Sequence, residues 1–214
     1  MNIIIRSEIP DVNARLAELG LTESILHKAI TQGLLARSET TPNHPPLYAG
    51  FVTWANTVRA LREELIPQHW TRNDEKMYSR VFNPSRTMAI AVATGDENTG
   101  NPNVNPMTKS PKGTATTQAV ESNAAQLTFG FEFDQIDFTK ADNDELKTWL
   151  LMFTYFKNEV RCELSLPIAC NGKVDGWSER IILGPIQLDA NTIDIPISPL
   201  LEMPDIDVVI SRRA

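Results

Sequence analysis

Lys109, Lys112, Gly113 and Thr114 lie in the run TKSPKGT, the only cationic cluster of the long polar stretch 94–123. Two ammonium groups beside a glycine and a hydroxyl suit a phosphate or a carboxylate. A helix starting at Thr114 would add its first backbone amides, and a helix N-terminus attracts anions. These four residues are the expected ligand-binding positions. The competing reading is two solvated lysines on a polar loop.

Other chemistries fail on particular residues. Gly95 and Gly100 follow the apolar run from Met88 as in a phosphate loop, but Asn101 and Pro102 stand where a lysine and a hydroxyl residue are required. Asp96, Asn98 and Gly100 imitate a calcium loop. Asn101 then replaces its obligatory glycine, and Met107 its bidentate glutamate. His27, His44 and His69 have no second ligand at metal spacing, so no metal and no cofactor are expected. His27 falls within a helical stripe and reads as packed. His44 and His69 sit in connectors and are the additional site candidates. No G-x-S-x-G elbow is present, and Cys162 and Cys170 fall on the inward positions of one strand pattern.

The most basic window holds Arg59, Arg62, Arg72, Lys76, Arg80 and Arg86, with Trp70 and Tyr78 among them. Glu63, Glu64, Asp74 and Glu75 dilute it. It reads first as a salt-bridged helical face, then as a protein interface, and last as a nucleic-acid surface.

Composition sets wide bounds. The chain has 214 residues, 42% hydrophobic and 22% charged, with a net charge of −7. Residues 1–120 carry 12 Lys and Arg against 11 Asp and Glu, and residues 121–214 carry 8 against 16. The acidic second part disfavours general nucleic-acid binding. No apolar run approaches the roughly 18 residues of a membrane span, and no secretory leader is recognised. Two cysteines eight residues apart along one strand cannot bridge, because they would be about 26 Å apart. Free thiols point to a cytoplasmic protein.

The elements that must position these groups follow from periodicity. Residues 2–6 suit a strand, and a short helix begins at Pro10 and ends at Gly20. Thr22 reads as an N-cap with Leu21 and Leu26 as a hydrophobic staple, opening a helix to Arg37. Three prolines between Ser38 and Gly50 make a rigid connector. Phe51, Trp54, Ala55, Val58, Leu61 and Leu65 predict a second long helix, and residues 73–80 another helical turn or two. Met88 to Ala93 suits a doubly covered strand, and Leu127, Phe129, Phe131 and Phe133 alternate as a half-buried one.

Asp142 and Glu145 resemble a capping box, so the apolar spacing from Leu146 predicts a further helix at about 143–157. Residues 160–170 alternate as a strand with Arg161, Glu163 and Ser165 on the wet side. Asn171-Gly172 should make a type I′ hairpin turn, with Asp175-Gly176 as a rival. Residues 178–183 return beside it, and residues 193–197 and 206–210 supply two more alternating segments.

Helices followed by strands, without β-α-β alternation, predict an α+β fold: a helical N-terminal part packed on a largely antiparallel sheet. Residues 1–214 are expected to form a single domain, helix-rich over 1–83 and strand-rich over 84–214, with a candidate boundary near 83. The expected function is that of a cytosolic interaction protein using the loop 94–123 to contact a protein partner. The alternative is an enzyme acting on a small anionic ligand held by the same loop.

Overall fold

The computed structural model of the chain describes residues 3–129 and 146–188. Its architecture is α+β, with helices on a mixed, mostly antiparallel sheet. The core starts at β4 (Met88–Thr94), in which every residue is buried. A strand without a polar face needs a layer on each side, so β4 must lie within the sheet. Its alternate residues divide accordingly: Met88, Ile90 and Val92 join one apolar cluster, Ala91 and Ala93 the other.

β4 pairs in parallel with β5 (Lys147–Phe156), and over these residues a strand corrects the helix expected at 143–157, whose Asp142 and Glu145 start lies outside the described residues. Seven consecutive residues of β5, from Thr148 to Thr154, are buried. In a continuous run such as WLLMF, helical spacing can be found without a helix being there, so period alone does not discriminate. Lying between two partner strands then decides the matter.

A parallel pair needs a connection that brings the chain back along the strand, and α4 (Thr114–Phe129) lies in that connection. Sixteen helical residues span about 24 Å, close to the roughly 23 Å of a seven-residue strand. Leu127 and Phe129, expected in a strand, therefore belong to this helix. Phe131 and Phe133 lie outside the described residues, as do the segments 193–197 and 206–210. Asn123 fixes the helix to the sheet. Its side-chain amide donates to the carbonyls of Thr148 and Pro167, each at 2.9 Å, and its oxygen accepts from Thr148 N.

Antiparallel β6 (Glu159–Asn171) and β7 (Lys173–Ile182) continue the sheet beyond β5. Of the Asn171-Gly172 pair only Gly172 takes positive φ, at +78°, and Asn171 stays in β6 opposite Lys173, so the turn is tighter than the I′ hairpin expected. The rival pair Asp175-Gly176 lies inside β7. Leu166 pairs with Glu179 but Pro167 with Trp177, so Ser178 is an inserted residue. Such a bulge exchanges faces, and Trp177 thereby joins the second cluster. β1 (Ile4–Arg6) lies parallel on the far side of β7, and β8 (Ile186–Gln187) pairs with β6.

Toward the other edge, β3 (Arg80–Phe82) and then β2 (Thr71–Asn73) extend the sheet from β4. These strands replace the helical turns expected over 73–80, and Glu75–Met77 between them is a tight turn with Lys76 and Met77 at positive φ. Residue 83, the candidate boundary, falls in the turn between β3 and β4 of this sheet.

The first face is covered by α1 (Ile9–Glu18), α2 (Glu23–Ser38) and α3 (Tyr48–Leu65). Thr22 caps α2 as its sequence indicates, accepting from Ile25 N at 3.3 Å. Gly33 sits where α2 meets α3: a Cβ there would lie 2.1 Å from Thr57 Oγ1 and 2.5 Å from Thr53 O. Both cysteines are free thiols. Cys162 is buried, and burial pushes its thiol well above the ordinary range, while Cys170 is partly exposed.

Two outcomes follow. Gly33→Ala should destabilise the fold by about 1–3 kcal/mol, the range of core overpacking, read as a lowered denaturant midpoint at unchanged slope. Ellman's reagent at pH 8 should modify one thiol of the native protein, Cys170, and both after denaturation. Fast native reaction of Cys162 would contradict its placement.

Candidate functional site

The stretch 94–123 divides into the end of β4, a loop of residues 95–113, and the first ten residues of α4. The loop lies across the second face of the sheet. Gly95 forms an isolated bridge with Thr108, and Asp96 N donates to Met107 O at 2.8 Å, which closes the loop on itself. Lys109 N then donates to Thr94 O, while Thr108 N and Lys112 N donate to the carbonyls of Val174 and Gly172. Trp177 Nε1 donates to Pro106 O at 2.9 Å.

A buried ion pair stands beneath this loop. Arg180 of β7 and Glu163 of β6 are each 0% exposed, with Nη2 to Oε2 at 2.6 Å and Nε to Oε1 at 3.1 Å. Glu163 also accepts from Ser165 Oγ and Gly100 N, both at 2.8 Å. Arg180 donates onward to Asn101 O at 3.0 Å and Val104 O at 2.9 Å. A buried charge is tolerable only when its partner and hydrogen bonds are complete, and the loop backbone completes this pair.

Glu163 and Ser165 are thus corrections to the wet-face assignment. The alternating pattern showed two faces but not that the polar face carries a second layer. The available signal was the loop itself: a polar segment too long for a connector can roof a charged sheet face.

Gly100 has φ +73°, and a Cβ there would lie 2.8 Å from Arg161 Cβ. Only glycine fits this approach without strain. Thr99, Thr108 and Ser110 are buried beneath the loop, whereas Asn103, Val104, Asn105, Met107 and Pro111 face outward. Val104 is 44% and Met107 42% exposed.

Of the expected site residues, Lys109, Lys112 and Gly113 are half-buried at the end of the loop, and exposed Thr114 opens α4. They follow one another along the chain where the loop enters α4. His44 and His69 do not join each other. They flank opposite ends of the eighteen-residue α3, itself about 27 Å long, and α3 covers the face opposite the loop. His44 stacks on Tyr48 with centroids 4.4 Å apart and accepts from Thr41 N at 3.0 Å, a turn-closing role. His69 ends a 3-10 turn with φ +67°.

No known family, curated protein or solved structure matches the chain. Its chemistry is therefore read from its own geometry. Among the described residues no group of three or more His, Cys, Asp or Glu could hold a metal ion, and no helix is long and apolar enough to cross a membrane.

Glu163→Gln leaves the Arg180 charge buried without its counter-ion and should cost about 3–5 kcal/mol, read by chemical denaturation. Trypsin should then cut after Lys109 or Lys112 faster than in the parent protein. Glu163→Leu combined with Arg180→Met should regain much of the stability but not the protection, because Gly100 N, Asn101 O and Val104 O lose their partners. Full protection in that double variant would show that the pair does not hold the loop.

Proposed function

We propose that this chain is a protein-binding module whose contact surface is the outer side of the loop 95–113. The observation that carries the reading is the combination of a tip exposing Val104 and Met107 with an underside fastened to Arg180 and Glu163. Fixing a loop before contact removes ordering cost from association, so a few exposed apolar groups contribute more to binding. Replacing a buried ion pair by apolar residues is often neutral or stabilising, so this pair is better explained by the conformation it imposes than by stability. Asn103 and Asn105 border the tip as a polar rim.

The test is photo-crosslinking in the native cell from a diazirine residue at position 104 or 107. A discrete adduct from these positions, absent from position 121 on α4 and lost with an added charge at the other tip position, is the expected result. Equal labelling from all three positions would refute the reading.

A second reading has its own support. α4 begins beyond the carboxyl end of β4, itself paired in parallel with β5, and open parallel strands bind ligands at that end. Here Lys109, Lys112, Gly113 and Thr114 would receive a small phosphate or carboxylate. Calorimetric titration with nucleotides and sugar phosphates checks it. Binding should weaken at least tenfold in the Lys109→Ala, Lys112→Ala double variant, and unchanged affinity would exclude the cluster.

A further inference from the structure

The ribbon of β2 and β3 forms one edge of the sheet, and β2 has β3 as its sole strand partner among the described residues. Thr71 and Arg72 are exposed there. An edge strand presents backbone donors and acceptors that an extended peptide can continue. The turn joining the two strands contains consecutive left-handed residues, Lys76 at φ 53° and Met77 at φ 58°, and leaves Met77 71% exposed.

One face of this ribbon carries a row of alternating rings and guanidinium groups. Arg80 lies over Tyr78 at 5.1 Å and over Phe82 at 4.9 Å, and Arg86 lies over Phe82 at 5.8 Å. Elsewhere in the basic window the arginines have carboxylate partners: Arg59 pairs with Glu63, and Arg62 with Asp74. That hydrogen-bonded Arg62 holds the Asp74 carboxyl below its ordinary range, so the nearest acid of the ribbon is already engaged. Arg72, Arg80 and Arg86 have no carboxylate oxygen within 4.0 Å among the described residues. Arg80 Nε is buried without a hydrogen-bond partner, and its Nη2 reaches across to Asn73 Oδ1 of β2 at 3.5 Å. The charge is therefore held by rings and leans toward the open edge.

We propose that the outer edge of the β2–β3 ribbon binds an extended acidic peptide of a partner protein, whose backbone continues the sheet beyond β2 and whose carboxylates meet Arg80 and Arg86. Guanidinium groups fit carboxylates with two parallel hydrogen bonds, and stacking on rings orients them in advance. Single-stranded nucleic acid suits the same charges less well. Bases need open ring faces, whereas Phe82 is only 9% exposed and both aromatic residues are already covered by arginine. This surface is separate from the loop 95–113, so its fate does not depend on the reading given above.

The experiment titrates the whole chain against a fluorescein-labelled octapeptide alternating glutamate and threonine. The same peptide with lysine for glutamate and an oligothymidylate of equal charge are run beside it. Anisotropy should show binding of the acidic peptide alone, at least tenfold weaker for Arg80→Gln, Arg86→Gln. Hydrogen exchange at Thr71–Asn73 should slow in the complex. Arg86→Gln alone, an exposed substitution that leaves the fold intact, should weaken binding severalfold. Unchanged affinity in that single variant, stronger binding of the oligonucleotide, or unaltered exchange at Thr71–Asn73 would each overturn the proposal.

Discussion

The arrangement of the second face depends on one buried charge pair. Arg180 and Glu163 are wholly withdrawn from water, which is unfavourable unless every strong donor and acceptor finds a partner. The sheet supplies Ser165, and the remaining partners are backbone groups of Gly100, Asn101 and Val104. The pair and the loop are thus mutually required. Without the loop the charges would face solvent, and without the pair the loop would lose the contacts that set its curve.

Consecutive residues of β7 fasten both layers. Arg180 points to the loop, and the preceding residue, Glu179, points to the helical face, where it accepts from Arg6 Nε at 2.7 Å and from Arg15 at 2.9 Å through both Nε and Nη2. These hydrogen bonds raise both arginine pKa values further. Glu179 thereby ties β1 and α1 to the strand whose other side holds the loop. The period-two geometry of a strand lets two neighbouring residues serve opposite faces. The inserted Ser178 then returns Trp177 to the loop side, where it donates to Pro106 O.

Several elements were legible in the chain because their signals are local. The Thr22 cap, the apolar stripe of α2 and the all-apolar β4 each depend on a few neighbouring residues. The α+β class followed from their order. Two errors have a shared origin. The apolar spacing over 143–157 suits a helix and the alternation at Leu127 and Phe129 a strand, although Lys147–Phe156 is a strand and both of those residues lie in the crossover helix of the parallel pairing. Neither periodicity carries information about which strand a segment will lie beside. Lys109, Lys112, Gly113 and Thr114 stayed together because they are neighbours in sequence, whereas His44 and His69 were separated by the helix between them.

The amino-acid order by itself determined where helices could start, which segments had to be buried, and that residues 95–113 could not enter an apolar core. Only the tertiary structure decided that this polar segment is a roof with a fixed underside. The reason is that Glu163 and Arg180 are seventeen residues apart in the chain, and the loop amide and carbonyls they meet lie more than sixty residues away from them. A charge on a strand reads as solvent-facing until a distant segment supplies the hydrogen bonds that let it be buried.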